Sequence, residues 1–248
     1  MKKIMILMSL IVSMFSVPTL ADTKHQSDKN ENSIKVTPKL QELVGEPIQR
    51  ISKSQLAGLY EVITATNIFY TNKEQTFVLL NSVVVGVEKR NNMSQERNAQ
   101  LGPFKFSDLP LEQAVKTVRG DGSRVFVTWE DANCGYCKRF LKVLDEVPNT
   151  TVYTFVVGIL SEDSKDKAKN IWCAADKSKV WTEWMGRNVP IPTQENCTGV
   201  PTIANEALMK KYRIQGTPAI FFQNGERIPG MTSAAQIESK LSQIKAPN

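Results

Sequence analysis

The sequence predicts a two-domain protein, with a small antiparallel sheet in its N-terminal part and a larger α/β domain in its C-terminal part. Residues 37–87 contain several short runs rich in Val, Ile, Phe and Tyr, broken by the turn-like segments "TNKE" and "NS", which is typical of antiparallel strands. From about residue 120, apolar strand patterns alternate with helical patterns, which is typical of an α/β domain. The 248 residues are enough for both cores.

The N-terminus carries the pattern of a secretory signal. It reads "MKKIMILMSLIVSMFSVPTLAD", in which two lysines precede an apolar run of about 14 residues and a small-residue cleavage site. Residues 1–21 are therefore predicted to be a signal peptide. An uncleaved anchor is disfavoured because a spanning helix needs roughly 20 apolar residues. Residues 22–36 are predicted to be a flexible leader, since "DTKHQSDKNENS" within them holds no apolar residue.

The charge of the chain gives little support for nucleic acid as a partner. The formal net charge is +6, and loss of Lys2 and Lys3 with the signal leaves about +4. The remaining charges are spread through both halves without a basic block, and export also argues against nucleic acid. No nucleic-acid partner is predicted.

Residues 37–87 are predicted to form the small sheet, preceded by a helix that contains "PKLQELVG". A segment of this size has few large core side chains, and the edges of a short sheet invite pairing with another strand. We therefore expect this domain to dimerise.

Residues 88–119 are predicted to connect the domains. The segment "EKRNNMSQERNAQ" is polar, and the later segment "SDLPLEQAVKTV" predicts a short helix that leads into the second domain. The apolar residues at helical spacing in this segment are Leu109, Leu111, Ala114, Val115 and Val118.

Residues 120–246 are predicted to form the α/β domain. The strand "SRVFVTWED" is followed by a helix, the strand "TVYTFVVGIL", a helical stretch from Ser161 to about Met185, and another helix. The segment "TPAIFFQNGERIPG" predicts a hairpin, and "AAQIESKLSQI" predicts a final helix. This order is typical of a thioredoxin-type domain with a helical insertion.

Two cysteines stand two residues apart where the first strand of this domain meets its first helix, in "DANCGYCKRF". The unpaired N–H groups and the dipole of a helix N-terminus favour a thiolate over a thiol. Cys134 is therefore predicted to be an exposed nucleophile of lowered pKa, helped by the basic Lys138 and Arg139. Cys137, one turn later, is predicted to be the shielded, resolving thiol. Between them, Gly135 and Tyr136 are predicted to control the approach of a substrate.

Three other interpretations of this pair are weaker. A static disulfide across two residues closes too small a loop to add much stability. A zinc site needs further ligands, and a cysteine protease needs a histidine base, whereas the only histidine is His25 in the predicted leader. No metal and no cofactor are predicted.

The other two cysteines are predicted to form a structural disulfide. Four cysteines permit three pairings, and the short loop of the first pair favours Cys134 with Cys137 and Cys173 with Cys197. Cys173 and Cys197 flank a loop rich in Pro, Asn and Thr, where a bridge contributes roughly 3 kcal/mol. A regulatory redox pair is the alternative.

Thr217 and Pro218 open an apolar strand in "QGTPAIFF". Proline cannot donate a ladder hydrogen bond and is tolerated mainly at the end or edge of a strand, where a trans turn is the ordinary interpretation. With a CxxC upstream in this order of elements, we predict a cis proline beside the cysteines. The backbone of Thr217 would then be free to pair with an extended substrate.

These motifs together resemble the DsbC family of periplasmic disulfide isomerases. The resemblance rests on "CGYC", "NIWCAADKSKVWTEWM" and "KKYRIQGTPAIFFQNGERIPG", with "LYEV" and "FSDLPLEQAVKTVRGDGSR" upstream, and it covers nearly all of the mature chain. It implies a homodimer with an N-terminal cystatin-like dimerisation domain, a linker helix and a thioredoxin-fold catalytic domain. The related DsbG branch typically has proline after the first cysteine, so Gly135 favours DsbC.

The resemblance also implies roles for residues and partners. Cys134 would attack a wrong disulfide in a misfolded secreted protein, Cys137 would resolve the mixed disulfide, and a DsbD-type membrane reductase would keep the pair reduced. The Cys173–Cys197 bridge would be structural, and Thr217–Pro218 would form the cis-proline loop. The cleft of the dimer would add chaperone activity.

Some points stay open in the sequence. Thr128 stands where thioredoxin has a buried acid, so Glu130, Asp131 or water could take the proton of Cys137. The alternative functions are a dimeric holdase and a thiol oxidoreductase dedicated to one client in secretion or conjugation. A CxxC at a helix start argues against a pure holdase.

Overall fold

The computed structural model describes residues 34–80, 82–88, 90, 92–102 and 104–244, all of which belong to one compact unit. The predicted signal peptide and most of the predicted leader lie outside these residues. Within the described ranges, no helix is long and apolar enough to cross a membrane.

The N-terminal domain is a four-stranded antiparallel sheet with one short helix, as predicted. Its elements are α1 (Pro38–Val44), β1 (Arg50–Lys53), β2 (Tyr60–Ile63), β3 (Ile68–Thr71) and β4 (Val78–Leu79), with the strands in sequence order. Thr37 caps the N-terminus of α1, and its hydroxyl accepts a hydrogen bond of 3.3 Å from the Leu40 amide. It ends at Gly45, which adopts a φ of 73° that glycine tolerates.

The core of this sheet extends into the predicted leader. Ile34 and Val36 pack against the core cluster around Leu40 and Phe69, and the Ile34 amide donates a hydrogen bond of 3.3 Å to the carbonyl of Ile51. Assigning residues 34–36 to the leader was therefore wrong, because two branched apolar side chains there complete a small core.

The connection between the domains differs from the prediction. Helix α2 (Met93–Leu101) lies in the polar segment, and two 3₁₀ turns (Phe106–Asp108 and Leu111–Gln113) lead into strand β5 (Val115–Arg119). The predicted helix over residues 108–118 is wrong. Val115 and Thr117 are buried while Lys116 and Val118 are exposed, which is the two-residue period of a strand. Since β5 pairs with β7, the second domain begins before residue 120.

The second domain is a five-stranded mixed sheet, in the order β5-β7-β6-β8-β9, with helices on both faces. Its further strands are β6 (Arg124–Asp131), β7 (Thr150–Val157), β8 (Ala219–Phe222) and β9 (Arg227–Pro229). Its helices are α3 (Gly135–Leu144), α4 (Glu162–Trp172), α5 (Lys177–Arg187), α6 (Thr202–Lys211) and α7 (Ala234–Leu241). Strands β6 and β7 are parallel, and β8 and β9 form the predicted hairpin. The predicted helical insertion is formed by α4 and α5.

Side chains on the two sides of β6 pack into two different hydrophobic clusters. Phe126 packs with Phe140 of α3 on one face, whereas Trp129 stacks on Phe155 on the other at 4.8 Å between ring centroids. Phe104, from the connection, joins this second core with its ring 4.8 Å from that of Phe221. The last part of the connection is therefore fixed to the second domain, and the C-terminal end of β6 leads to the start of α3.

Candidate functional site

Cys134 caps the N-terminus of helix α3. Its backbone is extended, with φ −72° and ψ 112°, and its Sγ accepts a hydrogen bond of 3.3 Å from the Cys137 amide. The strand β6 ends three residues earlier, so the chain turns sharply at residues 132–134 before the helix begins. This is the strand-to-helix junction that the sequence predicts.

The pKa of the Cys134 thiol is lowered to about 6. The first cause is the hydrogen bond from the Cys137 side chain; Thr217 and the backbone amides of Cys137 and Tyr136 add to it, and burial opposes it. The direction agrees with the sequence prediction, but the predicted help from Lys138 and Arg139 is absent from these causes.

The side chains of Lys138 and Arg139 make contacts with groups other than the thiol. The Lys138 Nζ lies 4.0 Å from the centroid of the Trp184 ring and donates a hydrogen bond to the Asn188 side chain. The Arg139 guanidinium lies 4.3 Å from the centroid of the Tyr136 ring. The ammonium group of Lys138 and the guanidinium of Arg139 are therefore paired with these aromatic rings and the Asn188 side chain, and not with the Cys134 thiolate.

The two sulfurs differ in access. Cys134 is 6% exposed and Cys137 is fully buried, and both are free thiols. Cys134 is therefore less exposed than predicted, because it is set into the turn between β6 and α3. Burial raises the pKa of Cys137 above its ordinary value, and its hydrogen bond with Cys134 and the charge of Glu130 add to the rise.

A buried carboxylate, Glu130, lies beneath the CxxC turn at the end of β6. It is 2% exposed and accepts a hydrogen bond of 2.7 Å from the Thr128 hydroxyl. Burial raises its pKa to about 8; the Thr128 hydroxyl and Arg119 oppose the rise, and Cys134 adds to it. A carboxyl with this pKa can gain and lose a proton near neutral pH.

The neighbouring carboxylate, Asp131, has a different environment. Its two oxygens accept four hydrogen bonds of 2.8–3.1 Å, which come from the amides of Asn133, Ile159 and Leu160 and from the Ser164 hydroxyl. These bonds tie the turn before Cys134 to the segment that follows β7. Asp131 therefore organises the backbone of the site, a role that the sequence analysis did not identify.

The loop before β8 lies against the first cysteine. The Thr217–Pro218 peptide is cis, as predicted, and the Cys134 thiol donates a hydrogen bond of 3.4 Å to the Thr217 carbonyl oxygen. Gly135 and Tyr136 are exposed beside this contact, and the Tyr136 side chain is 58% exposed. The structure thus brings together the residues predicted for catalysis and substrate binding: Cys134, Gly135, Tyr136, Cys137, Thr217 and Pro218.

The second cysteine pair lies in the helical insertion. Cys173, at the C-terminal end of α4, is bonded to Cys197 with a Cα–Cα distance of 5.7 Å. The bridge closes a loop of sequence separation 24 that contains α5. This is the pairing that the spacing favours.

Comparison with known proteins places this arrangement in a family. The thioredoxin-like domain model matches residues 111–245, which is more than half of the chain, and the model of the disulfide bond isomerase protein N-terminal domain matches residues 23–95. The fold and the site thus define a thioredoxin-like protein with a dithiol centre.

Relatives give the narrower assignment. The chain is 42% identical over 184 residues to a probable thiol:disulfide interchange protein DsbC of Bordetella pertussis, a match that covers 74% of this chain and 65% of that one. It is 23% identical over 203 residues to the DsbC of Escherichia coli K12, which covers 78% and 80% of the two chains. The chain belongs to the DsbC family of thiol:disulfide interchange proteins.

A solved structure is also similar. The disulfide interchange protein from Neisseria gonorrhoeae is 30% identical, with a TM-score of 0.51, and the match covers 54% of this chain and 97% of that one. The Bordetella match extends over 65% of the length of that relative, so the two proteins are not matched along their whole length.

Proposed function

We propose that the protein is a thiol:disulfide isomerase that also reduces disulfides, with Cys134 as the nucleophile and Cys137 as the resolving thiol. The observation that carries the proposal is the pairing of a helix-capping thiol of pKa about 6 with a buried thiol of raised pKa. Only the first is a thiolate at neutral pH and can attack a disulfide. The half-buried Thr217 next to it, just before strand β8, supports an extended polypeptide as the substrate.

The chemistry begins with attack of the Cys134 thiolate on one sulfur of a substrate disulfide. The substrate bond breaks, a mixed disulfide with Cys134 forms, and the second substrate sulfur leaves as a thiolate. In isomerisation, another substrate thiolate attacks the mixed disulfide and displaces Cys134, so no net electrons are transferred. In reduction, Cys137 attacks the Cys134 sulfur, and the substrate leaves with two electrons while a Cys134–Cys137 disulfide forms.

Glu130 is proposed as the acceptor of the Cys137 proton. The negative charge of Cys134 raises the pKa of both Glu130 and Cys137, and this charge disappears when Cys134 enters a mixed disulfide. Cys137 then loses its proton more easily, which is the moment at which resolution is needed. Asp131 is a poorer acceptor, because its oxygens already accept four hydrogen bonds.

Dimerisation through the N-terminal domain is part of the proposal. Strand β4 is an edge strand of only two residues, and apolar side chains just before, in and after it are exposed. They are Phe77, Leu79, Leu80, Val83, Val85 and Val87. An exposed apolar edge of this kind favours association with a second copy, and the face between two copies would hold misfolded chains as an accessory chaperone.

The periplasm is the proposed location, supported by the signal-like N-terminus and by the Cys173–Cys197 bridge, which needs an oxidising compartment. A membrane reductase of the DsbD type would return the Cys134–Cys137 disulfide to the dithiol. The proposed substrates are secreted proteins with wrong disulfides.

Trapping and refolding test the proposal together. With reduced protein, we expect recovery of native activity from a secreted test protein with scrambled disulfides. Cys137→Ala should accumulate a mixed disulfide on Cys134, visible after alkylation and non-reducing electrophoresis, and the matched control Cys134→Ala should form none. Failure of the wild type to recover the native protein, or equal trapping by both variants, would contradict the proposal.

A further inference from the structure

A cavity of about 220 Å³ opens beside Thr217, on the face of the sheet opposite helix α3. It is bounded by the end of α2, the segment that follows α6, and the hairpin of β8 and β9. Its lining includes Asn98, Arg213, Gly216, Thr217, Arg227 and Gly230. Among the described residues that line it there are two arginines and no carboxylate.

Arg213 is held by neutral oxygens on the N-terminal side. It is 7% exposed, and its guanidinium donates to the Asn98 side chain at 3.1 Å and to the carbonyl groups of Thr64, Ala65 and Asn67 at 2.7–3.1 Å. The Glu46 carboxylate raises its pKa less than burial lowers it, and Glu46 does not line the cavity. The hydrogen bonds fix Arg213 in place and leave its charge without a hydrogen-bonded carboxylate.

The guanidinium of Arg227 makes fewer hydrogen bonds than that of Arg213. Its Nη1 donates to the Tyr212 carbonyl at 2.8 Å, whereas its Nη2 is buried without a hydrogen-bond partner. Burial and, to a smaller extent, the charge of Arg213 together lower its pKa to about 10. A buried donor without a partner is uncommon in folded proteins and points to an absent acceptor. Two like charges beside one cavity make an anion the acceptor that fits.

The position of the cavity connects it to the substrate. Thr217, which lines it, has its carbonyl oxygen 3.4 Å from the Cys134 Sγ. Arg227 pairs with Phe221, four residues after Thr217, and an extended chain advances about 3.3 Å per residue, so we expect a substrate side chain about four residues from the reacting cysteine to lie near Arg227. Arg227 lies on β9, an edge strand, opposite Phe221, and at the end of the same strand the Gly230 amide donates a hydrogen bond of 2.8 Å to the carbonyl of Pro218.

We propose that this cavity binds a carboxylate of the substrate, from an aspartate or glutamate near the cysteine that Cys134 attacks. Arg227 supplies the free donor, and Arg213 supplies a fixed second charge. The proposal rests on the proposed function, because it assigns a preference to the substrate of that reaction. The site favours clients whose wrong disulfides lie in acidic segments.

Disulfide-bonded model peptides test it. Each peptide carries Asp, Asn or Lys at one of the four positions on either side of its cysteine, and kcat/KM for reduction is measured with dithiothreitol as the final reductant. At one position, the wild type should prefer Asp over Asn by about tenfold, the size expected for a hydrogen bond to a charged group. The preference should fall in 0.5 M NaCl, because salt screens charges.

Two variants at position 227 and one control isolate the charge. Arg227→Gln should bring the Asp-to-Asn ratio close to one, whereas Arg227→Lys should keep part of it. Arg187→Gln, which removes a surface arginine paired with Glu183, should leave the ratio unchanged. The ratio of two substrates on one enzyme is insensitive to the fraction of folded protein, so a stability loss does not imitate the result.

An Asp-to-Asn ratio below about twofold at every position, or a ratio unchanged in Arg227→Gln, would overturn the inference. Stronger inhibition by sodium acetate than by NaCl at equal ionic strength, equal for Asp and Asn peptides, would show a free anion as the occupant and would also overturn it. Failure of every peptide to react would instead count against the proposed function.

Discussion

The indole Nε1 of Trp184 donates a hydrogen bond of 2.6 Å to the carbonyl oxygen of Ala132, two residues before Cys134. Trp184 lies in α5 of the helical insertion, and its ring also contacts the ammonium groups of Lys138 and Lys167 at 4.0 and 4.6 Å from the centroid. The helical insertion therefore supports the turn that carries the CxxC.

Trp184→Phe should destabilise the protein by about 1–2 kcal/mol, because it keeps most of the ring and leaves the Ala132 carbonyl without its donor. Urea unfolding measures the change. Trp172→Phe is the matched control on the same insertion, where the ring contacts Lys177. Equal losses in the two variants would mean that the hydrogen bond to Ala132 contributes nothing specific.

The alkylation rate of Cys134 should rise with pH through an inflection near 6, since only the thiolate reacts. Cys137→Ala should move the inflection upward, because the Cys137 side chain is the first cause of the lowered pKa. Lys138→Gln should move it less. A larger shift in Lys138→Gln than in Cys137→Ala would restore the lysine to the role that the sequence predicted.

Glu130→Gln should change both the pH dependence of stability and the rate of resolution. The folded-state pKa of Glu130, about 8, lies above the unfolded value, so the folded state binds more protons between these values and stability falls as pH rises. Replacement by Gln should remove this decline and stabilise the protein at pH 7 by about 3 kcal/mol.

The kinetic part of the Glu130 prediction concerns release of a trapped substrate. If Glu130 accepts the Cys137 proton, Glu130→Gln should resolve a mixed disulfide roughly tenfold more slowly, the lower end of general base effects. Stopped-flow release of a labelled peptide measures the rate across pH 6–9. A variant that resolves at the wild-type rate, with only its stability changed, would leave Glu130 without a role in proton transfer.

Removal of the second disulfide should lower stability and spare the reactivity of Cys134. Loss of a bridge across a sequence separation of 24 should cost about 3 kcal/mol in Cys173→Ala/Cys197→Ala, since the unfolded chain gains loop freedom. Thermal unfolding measures the loss, and alkylation of Cys134 is the companion measurement. An unchanged midpoint together with altered Cys134 reactivity would favour the regulatory alternative over a structural bridge.

The sequence predicts those features of the site that depend only on the strand and helix patterns next to each residue. Cys134 caps a helix because a strand ends and a helix begins around it, and both patterns are legible over a few residues. Val115 was assigned to the wrong element, since apolar residues at 111, 115 and 118 fit a helix, and the pairing of β5 with β7 decides otherwise.

Local sequence patterns do not predict contacts between residues that are far apart in the sequence. The Lys138 side chain donates a hydrogen bond to the side chain of Asn188, fifty positions away in the sequence, a contact that the local pattern does not indicate. The Arg213 guanidinium reaches the carbonyl of Thr64, on the other domain, and its neighbour Arg227 faces the same cavity. The local sequence around residues 213 and 227 does not indicate which distant residues they contact, because tertiary packing determines those contacts.

The small accessible area of Cys134, 6% of its surface, has a consequence for how errors are found. A sulfur recessed between a helix start and the Thr217 loop meets only a disulfide carried on a strand that can bend into the recess. In a compact native protein, a disulfide is held in a rigid, closely packed segment. In a misfolded chain, the segment around a disulfide is more flexible. Under the proposed isomerase function, the correction of wrong disulfides then requires no comparison of right and wrong pairings, because the flexibility of the client segment determines whether its disulfide reaches Cys134.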